Sequence, residues 1–96
     1  MRGVDLAIYA DALAGESASL AARAERAQSR LRQAAIEKRA CSHLSETAIE
    51  RLEALGLLGS VDEAATRAEL RELEAALDAL EELLTWVEAE LATNAA

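Results

Sequence analysis

Large apolar residues recur along the last third of the chain at Leu70, Leu73, Leu77, Leu80, Leu84, Val87 and Leu91. The steps alternate three and four residues, which puts all seven on one stripe of an α-helix. Read as heptads, Leu70, Leu77, Leu84 and Leu91 hold position a, and Leu73, Leu80 and Val87 hold position d. So regular a stripe predicts a helix over residues 61–93 whose apolar side is covered by another helix. A weaker stripe runs through the first part of the chain. Leu6, Leu13, Leu20, Ala27 and Ala34 recur every seven residues, and Ala10, Ser17, Ala24 and Leu31 fill the alternate steps. This predicts a helix over residues 4–39. Its stripe is made mostly of small side chains, which lets a second helix approach toward the short end of the usual spacing of about 8–10 Å. Gly15 costs about 1 kcal/mol relative to Ala within it, and is expected to be tolerated rather than to kink the helix.

Between the two stripes, Cys41-Ser42-His43 consists of mediocre helix formers and predicts a joint. A helix start follows: Ser45 is placed to cap, and Leu44 and Ile49 to pack as a hydrophobic staple. The short helix is expected over residues 46–55, with Gly56 as its stop. The alternative is that the first helix runs straight through to Leu55. Leu57-Leu58-Gly59 reads as an apolar connector. Ser60 and Glu63 have the spacing of a capping box for the third helix, and Asp62 and Glu63 suit its positive N-terminus. Thr93-Asn94-Ala95-Ala96 is expected to fray.

Both long helices come to about 50 Å, and the element between them is too short to run back along that length. The expected fold is therefore all-α: an antiparallel, coiled-coil-like hairpin with the short helix capping the closed end. Leu44, Ile49, Leu52, Leu55, Leu57, Leu58 and Val61 would form an apolar plug there. Two helices cover a leucine ladder poorly, so dimerisation into a four-helix bundle is expected.

Composition agrees with a single helical domain. The 96 residues contain no Pro, only four Gly, and too few β-branched residues in alternation to make a sheet. The formal charge of −8 disfavours nucleic-acid phosphates and anionic membranes as partners. A single cysteine, Cys41, excludes an internal disulfide and suits a reducing compartment. Asp5 and Asp11 interrupt any signal-like apolar core after Met1, and no window reaches the roughly 18 apolar residues of a membrane span. A cytoplasmic location is expected.

Charge is unevenly spread. Arg23, Arg26, Arg30, Arg32, Lys38 and Arg39 lie close together, against only Glu25 and Glu37. In the expected hairpin they lie beside Asp62, Glu63, Glu69, Glu72 and Glu74. After Arg71 the chain carries Asp78, Glu81, Glu82, Glu88 and Glu90 and no base, and the matching start carries Asp5, Asp11 and Glu16. That acidic end also holds the only aromatics, Tyr9 and Trp86. Trp86 stands off the a/d stripe at position c, near Leu83 at g. An acidic zone around an off-stripe indole suits a basic, partly apolar protein partner.

Catalytic and cofactor signatures are missing. Cys41 and His43 stand two residues apart, but no further Cys or His exists to complete a zinc site. Nor is there a Glu-x-x-His pair, a glycine-rich phosphate loop, a serine elbow or a Walker-type lysine. Neither enzymatic activity nor a cofactor is expected. Glu25, Ser29 and Arg32 resemble the start of the Glu-x3-Ser-x2-Arg-x3-Gln-x3-Asp motif of anti-sigma factors that bind cyclic di-GMP. Ile36 and Ala40 stand where that motif has Gln and Asp. The resemblance implies a helical switch that binds an anionic nucleotide messenger; separately, the basic half of the first helix offers Arg23, Arg26, Arg30 and Arg32 to an anionic ligand. The length and hairpin are similar to small secreted proteins of the WXG type, although Leu55-Gly56-Leu57-Leu58-Gly59 lacks their Trp-x-Gly at the turn.

The sequence thus points first to a small regulatory or adaptor protein, homodimeric and without enzymatic activity, that binds a partner through Trp86, Leu83 and Tyr9 with Glu82 and Glu90 as an acidic rim. An anti-sigma-like ligand switch and a secretion-chaperone-like helical protein are the alternatives.

Overall fold

The structure is a computed structural model and describes residues 3–95. It contains three helices, α1 (Gly3–Cys41), α2 (Glu46–Ala54) and α3 (Glu63–Ala95), and no strand among the described residues. The helix boundaries follow from local chemistry. α1 passes through Gly15 without interruption. It ends where Ser42 Oγ donates to the Arg39 carbonyl at 2.7 Å and His43 N–H donates to the Ala40 carbonyl at 2.9 Å. These shorter-range bonds satisfy carbonyls that a terminating helix leaves open. Lys38 and Arg39 lie in the last turn, where positive charge is favoured. The joint after Cys41 is therefore real, and the straight run to Leu55 does not occur.

Ser45 caps α2: its hydroxyl accepts the Ala48 N–H at 3.1 Å. At the other end Leu57 N–H donates to the Leu52 carbonyl and Gly56 N–H to the Glu53 carbonyl, at 2.9 and 3.0 Å. This pair of bonds is a Schellman motif. It requires a left-handed backbone at Gly56, whose φ is +74°, a conformation that a Cβ penalises.

Two local expectations are corrected. Ser60 does not cap α3. The helix begins at Glu63, and Asp62 Oδ1 accepts the Ala65 N–H at 3.0 Å while the Asp62 carbonyl accepts the Thr66 N–H and hydroxyl. Asp62 prevails because its carboxylate caps the helix and also answers the positive helix terminus. The third helix is also longer at its far end than the expected 61–93: α3 continues to Ala95, and the Thr93 hydroxyl donates to the Ala89 carbonyl. Ala96 lies outside the described residues.

The chain divides into two compact units, one of residues 1–24 with 72–96, the other of residues 25–71. In the first, the least exposed side chains are those of the two stripes: Leu6 at 1% exposure and Val87 at 0%, with Ala24 and Leu73 also buried. Leu13, Leu20, Leu77, Leu80, Leu84 and Leu91 are half-buried. In the second unit Ala27, Ala34 and Thr66 are buried. Ion pairs flank them, Arg30 with Glu69 at 3.2 Å and Lys38 with Glu63 at 3.0 Å. Residue numbers rise along α1 as they fall along α3 in these pairs. Glu37 accepts the Gly59 N–H at 3.4 Å and the Gln33 amide at 3.1 Å, which ties the connector to α1.

The apolar plug is not sealed. None of its seven residues is buried, and Leu44, Leu55 and Leu57 are exposed. α2 has nine residues, about two and a half turns, too small a roof for that many side chains.

Truncating the two fully buried stripe residues should cost the most. Leu6→Ala and Val87→Ala are each expected to lose about 2–4 kcal/mol in urea unfolding. Gly15→Ala should gain about 1 kcal/mol, because the added Cβ meets nothing within 4 Å. Gly56→Ala should lose about 1–2 kcal/mol at its left-handed φ.

Candidate protein-interaction surface

Four of the five residues expected to bind a partner share one side of α3. Leu83, Trp86 and Glu90 stand at i, i+3 and i+7, and Glu82 stands one turn before Trp86, so helical geometry makes them neighbours. Trp86 is 52% exposed, Leu83 and Glu90 are half-buried, and Glu82 is exposed. Tyr9, on α1 of the same unit, is 43% exposed. A tryptophan left half in water beside a half-buried leucine is an apolar surface with carboxylates at its edge. Two further exposed apolar residues of this unit, Val4 and Ile8, were missed by the stripe pattern. Their i, i+4 spacing off the stripe was the available signal.

The electrostatics separate the units. By sequence, the unit of residues 1–24 and 72–96 holds Asp5, Asp11, Glu16, Glu72, Glu74, Asp78, Glu81, Glu82, Glu88 and Glu90, against Arg2 and Arg23. The unit of residues 25–71 holds Glu25, Glu37, Glu46, Glu50, Glu53, Asp62, Glu63 and Glu69, against Arg26, Arg30, Arg32, Lys38, Arg39, Arg51, Arg67 and Arg71. Ten acids meet two bases in the first, and eight meet eight in the second. The whole formal charge of −8 therefore sits on the unit that carries Trp86 and Tyr9. Among the described residues, all three ion pairs, including Arg67 with Glu63 at 3.5 Å, lie in the neutral unit. The carboxylates around Trp86 have no cationic partner of their own there.

Of the four arginines considered for an anionic ligand, Arg23, Arg26 and Arg30 stand at i, i+3 and i+7 along α1. Arg23 belongs to the acidic unit and the other three to the neutral one. Arg30 is engaged by Glu69, and Arg32, two residues on, points about 160° away around the helix.

The neutral unit has a cleft of about 270 Å³ lined by Ala34, Cys41, Glu53, Leu58, Gly59 and Val61 with Glu37, Lys38 and Glu63. Three of its four charged side chains are already engaged, Glu63 with Lys38 and Arg67, and Glu37 with Gly59 and Gln33. Cys41 lines it half-buried, whereas the exposed His43 is not among its walls. Cys41 and His43 are thus not brought together in this cleft. Among the described residues no cluster of three or more His, Cys, Asp or Glu could hold a metal ion, and no helix is long and apolar enough to cross a membrane. Set against protein-family models, curated proteins and solved structures, the chain matches none.

The separation of charge has a measurable consequence. Raising ionic strength from about 0.01 M to about 0.15 M shortens the Debye length from about 30 Å to about 8 Å. Amide protection in residues 72–94 should then rise, as self-repulsion is screened, while protection in residues 25–71 stays level or falls as its ion pairs weaken. Equal changes in the two would contradict the charge assignment.

Proposed function

We propose that this chain is a small interaction protein without enzymatic activity, a cytoplasmic adaptor or regulator, that binds a basic, partly apolar segment of another protein. Leu83, Trp86 and Tyr9 supply the apolar contact, and Glu82 and Glu90 the acidic edge. The observation that carries this is the coincidence of a half-exposed indole with a unit that holds ten acids and two bases. Such a surface stays soluble alone, attracts a cationic partner over a Debye length, and holds it through the aromatic that the contact then buries. α1 and α3 pair as an antiparallel hairpin in this proposal, with the contact carried on one side of α3. The opposed numbering of the Arg30–Glu69 and Lys38–Glu63 pairs supports that direction. A partner helix would lie along the Trp86 side of α3 with apolar residues every three or four positions and Lys or Arg beside them.

Trp86 is the sole tryptophan and reports on its own site. Titration with a cationic amphipathic helical peptide should shift its emission to the blue, and an uncharged peptide of the same apolar pattern should bind far more weakly. Trp86→Ala should lose about 2 kcal/mol of affinity, roughly thirtyfold, read by calorimetry. Glu82→Lys with Glu90→Lys should chiefly slow association and flatten its salt dependence. Unchanged binding by Trp86→Ala would remove this site.

A further inference from the structure

Three large aliphatic residues of α1 stand in solvent: Val4 is 71% exposed, Ile8 63% and Ile36 57%. Ile8 and Ile36 begin and end a line with a period of seven, Ile8, Gly15, Ala22, Ser29 and Ile36, and all five are exposed. The covered line Leu6, Leu13, Leu20, Ala27 and Ala34 has the same period two residues earlier, so the exposed line lies about 200° around the helix from it. α1 is one unbroken helix from Gly3 to Cys41, and neither line is interrupted. Gly15 marks the exposed line further. Glycine there costs about 1 kcal/mol against Ala, yet a Cβ would meet nothing within 4 Å in its own chain. A second helix seated on the line gives the small residue a reason, since small side chains let two helices approach to about 8 Å.

We infer that this line is covered by the same line on a second copy of the chain, running antiparallel about a two-fold axis at Ala22. Charge selects the occupant. Residues 3–21 of α1 hold Asp5, Asp11 and Glu16 and no base, whereas residues 23–41 hold six bases against Glu25 and Glu37. A uniformly acidic or basic partner suits one half and is repelled by the other. A second copy turned end for end suits both. The spacing fixes the register as well. Asp11, Ala18, Glu25 and Arg32 stand one turn before Gly15, Ala22, Ser29 and Ile36, and so form one edge of the line. With Ala22 on the axis, Ile8 of each copy meets Ile36 of the other, and Gly15 meets Ser29. Asp11 then comes beside Arg32 and Ala18 beside Glu25, so the two-fold axis makes two opposite-charge pairs. Neither Asp11 nor Arg32 has an ion pair among the described residues. A shift of one heptad sets Asp11 against Glu25, or Glu25 against Glu25. Parallel helices set Asp11, Glu25 and Arg32 each against itself. Only the antiparallel register centred on Ala22 joins the isoleucines and opposes no like charges along this edge. None of these residues belongs to the Trp86 surface, which the contact leaves accessible.

Sedimentation equilibrium of the full chain, without any partner, tests this between about 1 μM and about 500 μM, where mass action makes a modest dimer concentration-dependent. The weight-average mass should climb from the monomer's 10.2 kDa toward twice that value. Ile8→Glu with Ile36→Glu brings carboxylates together at both ends. It should hold the protein at the monomer mass, with helical circular dichroism unchanged, because both positions are exposed and Glu is a good helix former. Asp11→Arg alone and Arg32→Asp alone should each weaken association at least fivefold, roughly the effect of two attractive pairs made repulsive. Asp11→Arg with Arg32→Asp should restore it to within about twofold of the parent, the exchange of charge leaving the pairs intact. Trp86→Ala should associate like the parent. A parent that stays monomeric throughout overturns the inference, as does an Ile8/Ile36 variant that dimerises unchanged. A charge exchange that fails to restore what the single changes lost overturns the register and with it the inference. Loss of the dimer in Trp86→Ala would move the interface to α3 and overturn it equally. The peptide titration at Trp86 reads a different surface, so the two proposals fail separately.

Discussion

A stripe of leucines along a helix cannot stay in water, and each buried methylene is worth about 0.8 kcal/mol. In this chain that constraint has a particular form, because α1 brings mainly alanines to its stripe and α3 mainly leucines. Leu6 and Val87 disappear from solvent entirely, while Leu13, Leu20, Leu80, Leu84 and Leu91 of the same stripes stay half-buried. Where α1 supplies Ala27 and Ala34, the alanines are buried. Leu70 and Leu77 remain half-exposed. Small residues permit close approach but offer little surface to bury, so one chain covers its leucine ladder only in part. The residual exposure follows from having two stripes of unequal size.

The polar residues are organised around the same limitation. Arg30 and Lys38 reach Glu69 and Glu63 across the stripes of one unit, each pair exposed and individually worth at most about 1 kcal/mol. Their larger effect is on charge balance. That unit is left neutral and tied together by Asp62, Ser45 and Gly56 at its helix ends. The other keeps every unbalanced carboxylate of the protein, together with its only indole. An acidic unit that carries the indole and a neutral unit thus belong to one short chain.

Much of this was legible in the residues, and the reasons differ by element. The stripes of α1 and α3 were readable because a 3.6-residue period repeats over many turns, and random agreement over that length is improbable. The α2 caps were readable because Ser45 and Gly56 act through their own backbone neighbourhood. The start of α3 was not, since Ser60 and Asp62 are both competent caps, and the choice depends on whether Ser60 and Val61 join the helix. The plug failed for a related reason. Seven apolar residues close in sequence suggested a sealed cluster, but sealing depends on how much surface a nine-residue helix can cover.

The sequence by itself determined the helical class, the placement of the apolar stripes, the joint after Cys41 and the total charge, because periodicity, propensity and composition act locally or simply add. Only the tertiary structure decided which side chains water still reaches and which charges find partners. It left Trp86, Leu55 and Leu57 exposed, engaged Arg30 while leaving Arg32 turned away, and drew the boundary that assigns all the net charge to one unit. Those outcomes depend on residues far apart in number meeting in space, and no window of the chain contains both sides of such a contact.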